Sequence, residues 1–175
     1  ETKRDAVEAV NAIRVEYNLL PAVLEPDEAL RSCKPEQQIH EHSRAGTNIH
    51  KTAELSFNDP EGGLKESAFV RTAEFKFAGV THAFIEPHAT WATYSPDGEL
   101  TVISATQVPH YLQRTLSKVL ELPRHRVRVI KPTLGGGFGG KSDPFPHEII
   151  TAHLAMKTQR PVRCCFSREE VFLTN

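Results

Sequence analysis

The chain has 175 residues, of which 39% are hydrophobic and 25% charged, and its formal net charge is −1. These values are typical of a soluble globular protein and argue against general binding to nucleic acid or to an anionic membrane. No apolar run approaches the roughly 20 residues of a membrane-spanning helix. The 3 cysteines lack a disulfide-framework spacing, which favours a reducing cytoplasm. The adjacent Cys164 and Cys165 are expected to be small buried side chains of a strand.

The first 60 residues predict the end of one domain and a connection to the next. Residues 1–32 are typical of a helix, a strand alternating between Ile13 and Tyr17, and a short helix that begins at Pro26. Residues 33–60 are polar and are expected to connect the two domains. Because the chain opens within a predicted element and without methionine, we expect a piece of a longer polypeptide.

Residues 61–175 predict an α/β fold with a mixed sheet and crossover helices. A strand is expected over 66–79, and the turn Pro96-Asp97-Gly98 predicts a β-hairpin. The elements expected after the hairpin are a helix over 109–120, a strand over 124–131, a helix over 146–157, a strand over 161–167 and a helix capped by Ser167 and Glu170.

A glycine-rich loop over 135–140 raises the question of nucleotide binding, because Gly135 to Ser142 fits the pattern G-x-x-x-x-G-K-[ST]. In phosphate-binding loops the lysine and the serine lie in the first turn of a helix. Here Pro144 and Pro146 disfavour a helix that begins at Lys141, since proline restrains the preceding residue and removes a hydrogen bond. No later strand ends in a magnesium-binding aspartate. A nucleotide-binding enzyme is therefore disfavoured.

Two other interpretations of the loop remain open from the residues alone. A row of backbone N–H groups ahead of a helix suits an anionic ligand, and Phe138 would offer that ligand an aromatic face. Alternatively, the loop is only a turn within a non-catalytic α/β interaction domain.

The stretch "RVRVIKPTLGGGFGGK" resembles the GGGFGG loop in the large, molybdopterin-binding subunit of the xanthine dehydrogenase and aldehyde oxidase family. Three further stretches follow in the family's order: "AIRVEYNLLPAV", "HAFIEPHATWATYSPDGELTVISATQVPHYLQ" and "HEIITAHLAMKTQRPVRCCFSREEVF". The resemblance covers nearly the whole chain and is weakest over 33–60. Within the family, "TQVPHYL" and "RVIKPTLGGGFGG" look most like the large subunit of 4-hydroxybenzoyl-CoA reductase.

The resemblance implies that residues 61–175 are the first part of a molybdenum-cofactor-binding domain. Gln107 matches a glutamine whose amide hydrogen-bonds an oxygen on molybdenum. Its expected place at the C-terminal end of a strand, where α/β sheets gather ligands, agrees with this role. From the residues alone, a helix-capping amide is an equal alternative. Gly137, Phe138 and Gly139 match the backbone segment that would lie against molybdenum and pterin and donate N–H groups. Gly136 is expected to bind the cofactor with them. Gln107 and Phe138 would thus form the molybdenum environment.

The resemblance has limits that concern substrate and catalyst. Purine-oxidising members carry a glutamate where this chain has Ser142, which makes xanthine a weaker expectation and leaves Ser142 as a candidate substrate contact. Asp143 is displaced by one residue from that position. The family's general-base glutamate has no match, so no catalytic residue is expected in this chain, and Glu86 is expected to be structural.

The expected parent protein performs hydroxylation, or the reverse reductive dehydroxylation, at an aromatic carbon. The implied cofactors are molybdenum–molybdopterin, including its cytosine dinucleotide form, with iron–sulfur clusters and FAD on partner domains or subunits. The expected substrate is an aromatic small molecule, with 4-hydroxybenzoyl-CoA first and xanthine, an aldehyde or an N-heterocycle as the family alternative.

Histidines outside the loop predict no further site. His40, His42 and His50 lie in a polar stretch that is more typical of solvated side chains than of a metal site. His82 and His88 flank "AFIEP" on the same face of a predicted strand and are expected at its edge or surface.

Overall fold

The computed structural model describes residues 2–31, 34, 37–41, 43 and 46–174. The chain divides into two compact units, Glu1–Ala73 and Glu74–Asn175. Cys33 and His42 lie outside the described residues. The domain boundaries expected after residues 32 and 60 stay predictions.

Helices are the regular elements of the first unit in its described part: α1 (Lys3–Ala12), α2 (Pro26–Leu30) and α3 (Pro60–Glu66). The prediction that α2 begins at Pro26 is confirmed. The strand expected between Ile13 and Tyr17 is wrong, since these residues form no strand and are 66% and 80% exposed. A segment with alternating apolar residues forms a strand only where another strand pairs with it. No described strand pairs with residues 13–17.

The second unit is built on a four-stranded sheet in the order β3-β2-β1-β4, with β2 and β3 parallel and the other neighbours antiparallel. The predicted α/β fold with a mixed sheet and crossover helices is confirmed. Its strands are β1 (Ala89–Tyr94), β2 (Leu100–Ser104), β3 (Val127–Ile130) and β4 (Val162–Cys165), and its helices are α4 (Pro109–Val119), α5 (Pro146–Thr158) and α6 (Arg168–Thr174).

The turns and caps of this unit follow the expected chemistry. The β1–β2 hairpin turns at Gly98, whose φ of +83° is one that glycine adopts without strain. At the start of α6, the Ser167 N–H donates to Glu170 and the Glu170 N–H donates to Ser167 Oγ, at 2.6 and 3.2 Å. The predicted capping box is therefore confirmed.

A hydrophobic core lies between one face of the sheet and helices α4 and α5. Alternate residues of β1 and β2 face it, because successive side chains of a strand point to opposite faces. Each fully buried leucine contributes about 1.5–3 kcal/mol of stability. The buried core residues are Ala92, Leu100, Val102, Leu112, Leu116, Val127, Ala152 and Ala155.

The strand expected over 66–79 is wrong. No residue of that range lies in a strand, and Phe69, Phe75 and Phe77 are 81–90% exposed. The described sheet contains no strand that hydrogen-bonds to this segment, so its alternating pattern finds no pleated surface to cover.

The two adjacent cysteines lie on opposite sides of β4. Cys164 is half-buried and Cys165 is exposed, so the expectation of burial is wrong for Cys165. The physical reason is again the alternation of side chains along a strand, which permits only one of two neighbours to face α5. No helix in the described part of the chain has the length and apolar character to cross a membrane.

Candidate cofactor-binding site

The glycine loop, residues 135–140, lies between the end of β3 and the start of α5. The helix begins at Pro146, as the two prolines predicted, so Lys141 and Ser142 precede it. Gly136 and Gly139 have φ values of +102° and +95°, and Phe138 has +52°. A bulky residue with positive φ is strained and persists only where its surroundings fix it. The loop therefore has one defined shape, held by neighbouring contacts.

Lys141 points into the protein. The residue is 1% exposed, and its Nζ donates to Glu86 Oε2 at 2.7 Å. The same Nζ lies 4.6 Å from the ring centroid of Phe84, within the range of a cation–π contact. An ammonium group held in this way is not presented to a nucleotide phosphate, which agrees with the argument from Pro144 and Pro146.

Gln107 follows β2 and holds the far end of the glycine loop. Its Oε1 accepts hydrogen bonds from the backbone N–H groups of Gly139 and Lys141 at 3.1 and 3.2 Å. The backbone N–H of Gln107 donates to the Lys141 carbonyl at 2.8 Å. An amide oxygen accepts and an amide nitrogen donates, so these contacts fix the orientation of the side chain. The exposed side chain keeps Nε2 as a donor with no acceptor in the described part of the chain.

Three consecutive backbone N–H groups of the loop also lack an acceptor among the described residues: those of Gly136, Gly137 and Phe138. The N–H of Gly139, which was expected to act with them, donates to Gln107 instead. Unpaired N–H groups in a row form a concavity that suits an anion or a polarised oxygen. The loop and Gln107 together therefore present a set of hydrogen-bond donors that have no acceptor among the described residues.

Glycine is required where the loop approaches its neighbours. A Cβ on Gly137 would lie 2.5 Å from Gln107 Oε1, and a Cβ on Gly140 would lie 2.8 Å from a ring carbon of Phe84. Both distances are shorter than a van der Waals contact. Phe138 is 76% exposed at the crest of the loop, so its ring is available to a bound molecule.

Glu86 holds the near end of the loop. Besides Lys141, its Oε2 accepts from the Gly135 N–H at 3.0 Å, and its own N–H donates to the Gly135 carbonyl at 3.2 Å. Desolvation alone would raise the pKa of Glu86, but the hydrogen bonds from Lys141 and Gly135 and the Lys141 charge together bring that pKa below its ordinary value. Glu86 is thus held as a carboxylate.

A cluster of rings lies beside this region. His88 is 2% exposed and His147 is 7% exposed, and both pack against Phe145 and Phe166 at centroid distances of 4.6–6.0 Å. Burial, with the Lys141 charge, lowers the pKa of His88 to about 4. Burial, with repulsion from His88, lowers the pKa of His147 to about 4. Both rings are therefore neutral near pH 7.

The histidine predictions are confirmed in part. His82 is exposed, as expected for a surface residue, but the same expectation for His88 is wrong. Residues 82–88 precede β1 instead of forming a strand, so alternation does not place these two side chains on one face. Neither ring nitrogen of His147 has a hydrogen-bond partner in the described part of the chain. Nothing in the local sequence signals this burial.

A second buried polar group lies under the sheet. Glu148 is 2% exposed, accepts from Ser104 Oγ at 2.5 Å and accepts from the Phe145 N–H at 2.9 Å. Ser104 in turn contacts Thr90 Oγ1 at 3.0 Å. Burial raises the pKa of Glu148 despite these hydrogen bonds. This network joins β1, β2 and α5 and does not touch the loop.

Ser142 and the histidines of the polar stretch are the remaining candidates. Ser142 is half-buried and its N–H donates to the Gly139 carbonyl at 3.1 Å, while Asp143 is exposed. A role for Ser142 in substrate binding stays a prediction. His40 and His50 are exposed, and the described residues contain no group of side chains placed to hold a metal ion.

The family of the chain is established by comparison with known proteins. A family model for the molybdopterin cofactor-binding domain matches residues 39–175, and the chain belongs to that family. It is 37% identical over 163 residues to the nicotinate dehydrogenase large molybdopterin subunit of Eubacterium barkeri, covering 93% of this chain and 37% of that protein. It is 31% identical over 169 residues to the putative xanthine dehydrogenase molybdenum-binding subunit XdhA of Escherichia coli K12, covering 96% and 22%.

Solved structures support the same assignment. Quinoline 2-oxidoreductase from Pseudomonas putida 86 superposes with a TM-score of 0.74 at 26% identity, covering 98% of this chain and 21% of that one. The Cu,Mo-CO dehydrogenase shares the fold, with a TM-score of 0.79 at 24% identity over 96% of this chain and 22% of that one. The chain thus spans between about a fifth and two fifths of these relatives. The resemblance to the xanthine dehydrogenase and aldehyde oxidase family is confirmed.

The residues present fit the cofactor that the family implies. Molybdopterin carries an anionic phosphate, and its molybdenum carries oxygen ligands that accept hydrogen bonds. The loop offers the N–H groups of Gly136, Gly137 and Phe138, and Gln107 offers Nε2. The absence of a Cβ at Gly137 lets the Gln107 side chain pack against the loop. No carboxylate of the described residues competes for these donors.

Proposed function

We propose that the glycine loop and Gln107 hold the molybdenum–molybdopterin cofactor of a larger oxidoreductase. The single observation that carries this proposal is the hydrogen-bonding state of Gln107. Its Oε1 is occupied by two loop N–H groups, so Nε2 can only donate, and the loop adds three further donors without acceptors. A set of free donors on a rigid loop suits an anionic, oxygen-bearing ligand.

The chain's own residues bind and orient the cofactor. Gln107 Nε2 would donate to an oxygen on molybdenum, and the N–H groups of Gly136, Gly137 and Phe138 would donate to anionic oxygens. When bound, molybdenum–molybdopterin supplies two-electron redox chemistry at a substrate carbon. Preorganised donors need no rearrangement as charge develops, which is how such a site lowers a barrier. The general base would come from a part of the parent outside these residues.

The proposed substrate of the parent is an electron-poor aromatic ring, with an aromatic N-heterocycle as the first candidate. Support comes from relatives named for nicotinate and quinoline, and from Ser142, which stands where purine-oxidising members carry a glutamate. The thioester 4-hydroxybenzoyl-CoA is the second candidate, and it rests on the resemblance of "TQVPHYL" and "RVIKPTLGGGFGG". Xanthine follows, from the similarity to XdhA.

The proposal also names partners. Electrons that leave molybdenum need a path to an acceptor, and we assign that path to iron–sulfur clusters and FAD on partner domains or subunits. The cytosine dinucleotide form of the cofactor and a cytoplasmic location remain part of the proposal. The chain covers 22–37% of its relatives, which leaves room for such parts in the parent.

A substrate screen of the purified full-length parent tests the proposal. Nicotinate, quinoline, xanthine and 4-hydroxybenzoyl-CoA would each be supplied with a dye acceptor, or with a dye donor for the reductive direction. Turnover of an N-heterocycle that depends on molybdenum loading is expected. Turnover of the thioester alone would replace the first candidate with the second. Cofactor-loaded parent that turns over none of the four would contradict both assignments.

A further inference from the structure

We propose that the buried ion pair between Glu86 and Lys141 is a positioning pair, which sets the shape of the glycine loop so that its free N–H groups face the cofactor. This inference rests on the function proposed above. Neither side chain need touch the cofactor, since both act through the loop backbone.

Glu86 joins the two ends of the loop through one carboxylate oxygen. Oε2 accepts from the Gly135 N–H at 3.0 Å at the first loop residue and from Lys141 Nζ at 2.7 Å just after the last one. The Glu86 N–H also donates to the Gly135 carbonyl at 3.2 Å. The distance between the loop ends is thereby fixed, and a loop of fixed ends has few conformations left.

Lys141 connects this clamp to the one made by Gln107. Its side chain binds Glu86, while its backbone N–H and carbonyl both bind Gln107, at 3.2 and 2.8 Å. A displacement of Lys141 therefore disturbs the Gln107 side chain as well as the loop. The donors left free, those of Gly136, Gly137 and Phe138, lie between the two clamps in the sequence.

The two partners differ in burial, so removing one costs more stability than removing the other. The Lys141 side chain is 0% exposed and the Glu86 side chain is 33% exposed. A buried ammonium group without its partner is costly, whereas a partly exposed carboxylate can be hydrated. An apolar side chain could fill the same space, so stability alone does not account for the pair. The pair instead restrains the loop, because a loop that moves away from Glu86 would leave the charge of Lys141 without a partner.

The test uses the full-length parent with Glu86→Gln, Lys141→Met and the control Ser104→Ala. Ser104 lies in the buried network with Glu148, away from the loop, so its loss should lower stability without affecting the loop. For each protein, the melting temperature, the molybdenum and pterin content per folded molecule and the deuterium uptake of the peptide over 134–142 are measured. Uptake is compared in protein stripped of cofactor, so that it reports the loop alone.

Both loop variants should lose at least about half of their molybdenum and pterin, and their loop peptide should exchange about tenfold faster. Ser104→Ala should keep wild-type values for both quantities at a similar drop in melting temperature. Glu86→Gln should have the lower melting temperature of the two loop variants, because it leaves the charge of the fully buried Lys141 ammonium without a carboxylate partner. If Glu86→Gln does not fold, Lys141→Met alone decides the comparison.

Two results would overturn the inference. One is unchanged exchange of the loop peptide in the loop variants. The other is cofactor loss that follows melting temperature equally in all three variants, as a purely structural role predicts. A wild-type parent without molybdenum, made by cells that synthesise the cofactor, would instead overturn the proposed function. The exchange comparison would still decide whether the pair orders the loop.

Discussion

Acidification from pH 7 to pH 5 should destabilise the chain through His88 and His147. Burial lowers the pKa of each to about 4, whereas the ordinary value is 6.5. Below pH 6.5 the unfolded chain therefore binds more protons than the folded one. The stability linked to these groups is complete above pH 6.5 and is lost as the pH falls toward 4.

The magnitude follows from these pKa values. A pH of 5 lies about 1.5 units below the pKa of an unfolded histidine, which is therefore protonated, while the buried ring is still mostly neutral. One unit corresponds to about 1.36 kcal/mol, so each histidine costs about 2 kcal/mol at pH 5. The two cost about 4 kcal/mol, against a typical total stability of about 5–15 kcal/mol. Glu148 acts in the opposite sense, because burial raises its pKa, and Lys141 is the charge that faces His88.

Urea unfolding of the 175-residue chain at pH 7, 6 and 5 measures this effect, with the fluorescence of the single tryptophan, Trp91 in β1, as the signal. His147→Phe keeps an aromatic ring in the cluster and should remove about 2 kcal/mol of the loss between pH 7 and pH 5. His153→Phe is the matched control, since His153 is exposed on the same helix. An unchanged pH dependence in His147→Phe would show that protonation of this ring does not cause the loss of stability.

Three further predictions follow from the loop and from β4. Gly137→Ala should lower the free energy of unfolding in urea by about 1–3 kcal/mol, because the new methyl group meets Gln107 Oε1. Gly79→Ala is the control and should be close to neutral, since the space around its Cβ is open. Equal losses in the two variants would contradict the packing argument. Gln107→Glu keeps the acceptor for both loop N–H groups but loses the Nε2 donor, so the parent should keep its melting temperature and lose molybdenum. Gln107→Ala should lower both the melting temperature and the molybdenum content. Full molybdenum content in Gln107→Glu would exclude the donor role of Nε2. Iodoacetamide should modify the exposed Cys165 before Cys164, whose thiol pKa burial raises, as peptide mass spectrometry would show; the reverse order would contradict the assignment of faces in β4.

Local chemistry made much of the second unit predictable. The turn Pro96-Asp97-Gly98 supplied the positive φ that a hairpin needs, and the two prolines after the loop fixed the start of α5 at Pro146. Gln107 could be placed from its position after a strand and before a helix. The resemblance added the family, and the matching family model confirmed it. The role of the loop in cofactor binding stays a proposal.

Features that depend on distant partners could not be predicted. Glu86 and Lys141 are 55 positions apart, so no local pattern pairs them. The burial of His88 depends on rings from other segments in the same way. Alternation over 66–79 indicated a strand, but a strand exists only with a partner, and the described sheet supplies none. The sequence also could not show which loop N–H groups stay free. The Gly139 N–H was expected to face the cofactor, but it donates to Gln107 Oε1.

Cofactor analysis of the full-length parent tests the central claim most directly. Molybdenum would be measured by elemental mass spectrometry and pterin by fluorescence after oxidation, for wild type, Gln107→Ala and Phe138→Asp. We expect nearly one molybdenum per large subunit in wild type and a clear loss in both variants. Gln107→Ala removes a donor and the hydrogen bonds that hold the loop, and Phe138→Asp places a negative charge against an anionic ligand. Wild-type parent without molybdenum, from cells that make the cofactor, would contradict the account.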